Sequence, residues 1–209
     1  MFISLEGLDG SGKTTQFDRL AAALRERGYD VLALREPGGT TIGERVRDIL
    51  HDHTHAEMDS RTELLLYCAS RAQLMAQRIQ PHLQQGGRRG IVVCDRFADS
   101  TLAYQGYGRG LELNLLRSLL YFATHGVKPN LTLYFDVPVD VGLARRSKST
   151  AKGEEFNRMD AQSIEFYRRV EAGYRELILA EPERWCVVDA TQPIEVVTER
   201  MLQIIAAKL

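Results

Sequence analysis

Residues 2–15 read FISLEGLDGSGKTT, and the order of residue types in this stretch decides the fold. Phe2, Ile3 and Leu5 form a short apolar run stopped by Gly7, the pattern of a buried strand. Gly7-Leu8-Asp9-Gly10-Ser11-Gly12-Lys13-Thr14 then satisfies G-x-x-x-x-G-K-[ST] at every position. Residues 16–27 repeat apolar side chains at Phe17, Leu20, Ala21 and Leu24, one face of a helix. Strand, glycine loop and helix thus follow in the order a phosphate cradle requires. Glycines let successive N–H groups converge on one anion, and the helix aims its positive end at the same place. Lys13 is expected to reach the terminal phosphates of a nucleoside triphosphate, and the Thr14 hydroxyl to ligate Mg²⁺.

The 209 residues suit one α/β domain with a substantial core. Lysine plus arginine number 27 against 28 acidic residues, a net charge of −1. That balance argues against a chain built to coat nucleic acid or an anionic membrane. Cys68, Cys94 and Cys186 lack metal-ligand spacing and read as buried free thiols. No signal peptide is expected, because the sequence reads straight into the first strand, and no apolar run approaches the ~18 residues of a membrane span. A soluble cytoplasmic protein is expected.

Further strands are expected at 31–34, 91–94, 131–136 and 185–189, alternating with helices. The expectation is one three-layer α/β domain of the P-loop NTPase type, with a five-stranded parallel sheet. Residues 35–40, REPGGT, and Asp95-Arg96 fall at strand C-terminal ends, where ligands gather in such sheets. Asp95 is placed for Mg²⁺, and an arginine directly after it suggests a second anion gripped bidentately. Residues 60–85 form the longest helical stretch, with Ser60 and Glu63 as a capping box and Pro81 as a kink or new start. Tyr67 and Arg71 share a face of it: a base sandwich, or a core tyrosine beside a surface arginine. His51, His53 and His55 alternate in a polar stretch, read as a solvated loop in preference to a metal site. Residues 111–125 carry more apolar side chains (Leu115, Leu116, Leu119, Leu120, Phe122) than one face needs, hinting at a core or dimer-facing helix. A helix from Pro138 to about residue 146 precedes the charged, Ser- and Gly-rich segment 145–158, which reads as a flexible lid over phosphates or as a solvated loop. Helices over 159–180 and 194–209 complete the chain, the last capped by Thr191-Gln192-Pro193.

Three separate blocks, EGLDGSGKTT, REPGGT at 35–40 and DRFADSTLAYQG at 95–106, resemble the thymidylate kinases over essentially the full length. The resemblance implies a bacterial-type member with an acidic P-loop and a basic lid at 146–158, using ATP and Mg²⁺ and forming a homodimer. It implies ATP contacts from Gly7, Leu8, Asp9, Gly10, Ser11, Gly12, Lys13, Thr14, Thr15 and Arg145. It implies dTMP contacts in four groups. Tyr67 stacks on thymine in place of the commoner Phe. Arg71 and Gln105 read the base edge, with Ser100 and Thr101 nearby. Tyr104 packs under the deoxyribose, and Arg47 and Arg96 hold the acceptor phosphate. Asp9 lies near sugar and phosphate, and Glu36 is aimed by a cis bond before Pro37. Lys13, Arg96, Asp95 and Asp9 are the catalytic expectation, with Lys148 and Lys152 standing where lid arginines are common. Gln162, where a glutamate is usual, is given no role.

Two other functions remain open on the residues. A deoxynucleoside kinase would use Glu36 or Asp95 as a base, and a P-loop switch protein would need no second small-molecule site.

Overall fold

The computed structural model describes residues 1–151, 153 and 156–209, with every side chain among them except that of Arg88. Lys152, one expected lid cation, lies outside the described residues. Among the described residues, β1 (Phe2–Glu6), β2 (Asp30–Arg35), β3 (Gly90–Asp95), β4 (Leu131–Asp136) and β5 (Trp185–Asp189) form one parallel sheet in the order β2-β3-β1-β4-β5. Alternate side chains of β1 and β3 point to opposite faces, as a pleated strand demands. Ile3, Leu5, Ile91 and Val93 pack on one face beneath α1 (Lys13–Glu26) and α9 (Ile194–Ala206). Phe2, Val92 and Cys94 pack on the other against Leu74 of α3 (Ser60–Leu74) and Ile79. With both faces covered, β1 and β3 are buried along their lengths and read as continuous apolar runs. A third cluster, largely aromatic, joins Tyr104 to Phe166, Tyr167 and Tyr174 of α8 (Ile164–Ala180).

Several boundaries depart from expectation. α3 is capped by Asp59, whose side chain accepts from the Arg61 N–H, so Glu63 falls one place beyond a capping box and turns inward. A π-helical turn, Met75–Ile79, leads into α4 (Gln80–Gln85) with Pro81 in its first turn. Proline lacks the N–H that an α-helical ladder would use there, and the widened turn accommodates the change. α2 (Thr41–His51) is capped by the Thr40 hydroxyl. A short α5 (Ala98–Thr101) runs into a π-helical segment, Leu102–Gly108, followed by α6 (Leu113–Thr124). α7 (Val139–Ala151) continues well past residue 146, so the first half of the charged segment is helix, not flexible loop. Its charged residues are compatible with a helix of which only Val139 and Gly142 are buried. α8 starts at Ile164 with a Ser163 cap, later than expected. At α9 Pro193 occupies the cap position without a side-chain bond, while Thr191 turns back to Asp189. Cys68 and Cys94 are buried thiols, but Cys186 is half-exposed on edge strand β5. No helix among the described residues is long and apolar enough to cross a membrane.

Candidate active site

The carboxyl ends of β1, β2 and β3 lie side by side, with Arg35 and Leu5 each paired in register with Asp95. Their following loops open into one cleft of about 670 Å³. Its floor is the phosphate loop. Gly10 and Gly12 both have positive φ, and a methyl on Gly10 would lie 2.0 Å from the Gly142 carbonyl oxygen on α7. Lys13 is buried and donates to the Gly7 and Leu8 carbonyls at 3.0 and 2.7 Å and to Ser11 Oγ at 3.3 Å. Burial, then the neighbouring charge of Arg96, lowers its ammonium to about 8. Asp9, Gly10, Gly12, Lys13, Thr14 and Thr15 line the cleft. Gly7, Leu8 and Ser11 form the buried underside of the loop instead.

Arg96 is one of two non-glycine residues with positive φ (67°) among the described residues, a backbone state of order 1–3 kcal/mol in cost that its surroundings must hold. One terminal nitrogen donates to Asp9 Oδ1 at 2.7 Å and Tyr104 Oη at 3.1 Å, the other to Ser100 Oγ at 3.1 Å. The guanidinium lies 4.9 Å from the Tyr104 ring centre. Burial works to raise the Asp9 carboxyl, but Arg96 and then Lys13 outweigh it and hold Asp9 low. Beneath them Glu6, fully buried, accepts from the Phe97 N–H at 2.8 Å, Ser100 Oγ at 2.5 Å and Tyr174 Oη at 2.9 Å. Burial first, and Asp99 next, push Glu6 up to about 7. Sequence reasoning passed over Glu6. Its signal was an acid closing an otherwise apolar strand.

Arg71 is not the surface arginine of the second reading. It is 1 % exposed, donating from Nε to Glu36 Oε2 at 2.7 Å and from its two terminal nitrogens to Thr101 Oγ1 and the Phe97 carbonyl. Tyr67, one turn earlier, lines the cleft instead of joining a core cluster. The Glu36–Pro37 bond is cis, and Arg47 donates to the Pro37 carbonyl at 3.0 Å. Gln105 also lines the cleft and donates from Nε2 to Glu63 Oε1 at 2.8 Å. His51 departs from the solvated-loop reading: it ends α2 and faces the cleft, where burial and then Arg47 push its imidazole down to about 4. His53 is exposed, and His55 sits against the Ile49 carbonyl.

Of the two expected lid cations, only Lys148 lies among the described residues. Lys148 is exposed on α7 and does not line the cleft, whereas Arg145, Arg146 and Ser149 do. At about 100° per residue, 145, 149 and 146 fill one arc of the helix, and 148 lies about 60° outside it on the far side of 145. Arg145 donates to the Ala190 carbonyl at 2.9 Å, and Arg146 makes a bidentate pair with Asp160, both bonds 2.7 Å. Gln162, given no role, accepts from Arg109 at 2.6 Å.

Asp95 Oδ1 is buried and has no hydrogen-bond partner among the described residues, and Asp95 and Thr14 line the same cleft. No cluster of three or more acidic, His or Cys side chains suited to a metal occurs among the described residues. Two oxygen donors at a phosphate site suit Mg²⁺, which usually takes one or two carboxylates and completes its shell with water and phosphate.

The chain is similar to known proteins over nearly its whole length. The family profile for thymidylate kinase matches residues 5–201. A thymidylate kinase of Roseiflexus sp. (strain RS-1) is 47 % identical, the match covering 96 % of this chain and 91 % of that relative. A thymidylate kinase of Roseiflexus castenholzii (strain DSM 13941 / HLO8) is 46 % identical over 98 % of this chain and 92 % of its own. The crystal structure of thymidylate kinase from Ehrlichia chaffeensis superposes with a TM-score of 0.78 at 34 % identity, covering 98 % of both chains. With its phosphate loop and arginine-lined cleft on a β2-β3-β1-β4-β5 sheet, the chain belongs to the thymidylate kinase family.

Proposed function

We propose that the protein transfers the γ-phosphoryl group of ATP to dTMP, giving dTDP and ADP on the route to dTTP. One observation carries the residue assignment: Arg71 and Arg96 are immobilised on one wall of a cleft whose floor is the phosphate loop. A switch protein would have no use for that second set of donors. A nucleoside kinase would use Glu36 or Asp95 as a base, but Glu36 is paired with Arg71, and Arg96 fits a phosphate acceptor better.

The acceptor is a phosphate monoester with a second pKa of about 6, so at neutral pH it attacks as a dianion and needs no base. The work is to bring two anions together and align them. Arg96 and Arg47 hold the attacking phosphate, and Tyr104 packs under the sugar. Tyr67 stacks on the base, with Arg71 and Gln105 on its edge, Ser100 and Thr101 beside it. Glu36 anchors Arg71, and Asp9 sets the reach of Arg96. On the donor side the loop N–H groups and Lys13 bind the phosphates, Arg145 packs beside the adenine, and Arg146 takes the lid role expected of Lys148 or Lys152. Thr14 and Asp95 would hold Mg²⁺, which supplies charge neutralisation at the phosphates when bound. Residues 146–158 act as the lid of a single domain, closing to exclude water.

A homodimer belongs to the same proposal. Leu115, Tyr121 and Phe122 of α6 and Leu65 of α3 are 55, 71, 80 and 56 % exposed, an apolar surface that a second copy would cover. Three free cysteines support a cytoplasmic setting. An ADP-release assay with Mg²⁺-ATP against dTMP, dUMP, dCMP, dGMP, AMP and thymidine tests the reaction. Turnover with dTMP, weaker with dUMP, is expected; turnover with thymidine and not dTMP would overturn it.

A further inference from the structure

Glu63, Tyr67 and Arg71 follow at four-residue intervals on α3 and so share one face of that helix. Tyr67 and Arg71 line the cleft, while Glu63 lies behind it with its side chain 1 % exposed. Its carboxylate accepts from Gln105 Nε2 at 2.8 Å, from Arg109 Nε and a terminal nitrogen at 3.2 and 3.0 Å, and from Arg158. Burial works to raise this carboxyl, but the hydrogen bond and charge of Arg109, with Gln105 and Arg158, hold it below its ordinary value. Glu63 is therefore ionised, and an ionised carboxylate can only accept.

That fact decides which way the Gln105 amide points. Its NH₂ must face Glu63, which turns Oε1 the other way, and no donor among the described residues reaches Oε1. We propose that Glu63 is a positioning residue: by locking the Gln105 amide it makes the base-reading wall accept at Gln105 and donate at Arg71, selecting a base edge with N–H beside C=O. The proposal rests on the dTMP kinase reading above and gives it a source of specificity. Thymine presents N3–H beside C4=O, matching both groups. Cytosine presents a lone pair at N3 and an amino group at C4, mismatching both. Arg109 and Arg158 are the counterions that keep the lock charged. Arg158 is itself fixed by donating to the Leu50 carbonyl at 3.1 Å from Nε and to the His51 carbonyl from its backbone N–H.

The test compares kcat/KM for dTMP and for dCMP in the full-length enzyme and in Glu63→Gln, whose amide can face Gln105 with either end. The dTMP/dCMP ratio should fall roughly tenfold or more, chiefly through a higher KM for dTMP. In a Gln105→Leu background the same substitution should leave the ratio where Gln105→Leu put it. If Glu63 merely supports the fold, both substrates lose the same factor; an unchanged ratio therefore overturns the proposal, as does an undiminished fall in the Leu background. Should Glu63→Gln fail to fold, wild-type enzyme gives the answer by NMR, with the Gln105 side-chain amide assigned by its loss in Gln105→Leu. Those NH₂ protons should keep their nuclear Overhauser contacts to the Glu63 side chain when dTMP is added. Loss of those contacts in favour of contacts to thymine would turn the N–H to the base and sink the proposal. A wild-type enzyme that does not prefer dTMP to dCMP would instead remove the reading beneath it, and the proposal with it.

Discussion

On the acceptor wall, Arg71 is held by Glu36, Thr101 and the Phe97 carbonyl, and Arg96 by Asp9, Ser100 and Tyr104. On the donor side, Lys13 spends its donors on its own loop's carbonyls and Arg146 on Asp160. Under the proposed assignment the acceptor cations are braced by side chains of their own wall. The donor cations then face protein groups that a triphosphate would have to outcompete. One wall is preorganised for a small dianion, while the other has to exchange partners as it binds.

The sharpest way to break this contrast is Arg96→Ala. It should lower kcat about a thousandfold at saturating dTMP with the far-ultraviolet dichroism unchanged; near-normal turnover would mean that Arg96 does not hold the acceptor. Arg71→Lys comes next. A lysine cannot span Glu36, Thr101 and Phe97 together, so KM for dTMP should rise roughly ten- to a hundredfold, with a lower Tm and KM for ATP little changed. Equal rises in both KM values would show that the walls are not separable.

Glu6→Gln probes the footing of the acceptor wall. The Glu6 carboxyl is raised from 4.5 to about 7 in the folded chain. Between those values the unfolded chain has released the proton while the folded one retains it, so stability is lost as pH rises through the interval. Glu6→Gln should remove about 1–2 kcal/mol of that decline, read from urea unfolding at pH 5 and pH 7.5. An identical slope in the variant would place the titration elsewhere. The smallest effect belongs to Asp160→Asn. It weakens the clamp on Arg146 and should lower KM for ATP roughly two- to fivefold while leaving KM for dTMP alone. A rise in KM for ATP would show that Asp160 serves the nucleotide by keeping the lid in place.

The strands were legible because parallel strands covered on both faces must be nearly continuous apolar runs, and the 131–136 and 185–189 expectations match β4 and β5 end to end. The phosphate loop and Asp95-Arg96 were legible because their chemistry is local. Glu6, Glu63 and Asp160 were not. Glu6 meets Phe97 across 91 residues and Glu63 meets Arg158 across 95, and no spacing along the chain advertises such pairs. Residues 147–151 were misread for a different reason: a helix with so little buried surface looks, by composition, like a solvated loop.

The contact of Gly10 with Gly142 has a mechanical consequence. Gly10 approaches α7 so closely that no side chain fits between them, and α7 runs nine more residues to Ala151. At 1.5 Å per residue this is a lever of about 13 Å pivoting on the phosphate loop. A tilt of about 10° at that fulcrum carries the far end about 2 Å. A displacement of the loop at Gly10 would therefore be passed directly to the helix that carries Arg145 and Arg146.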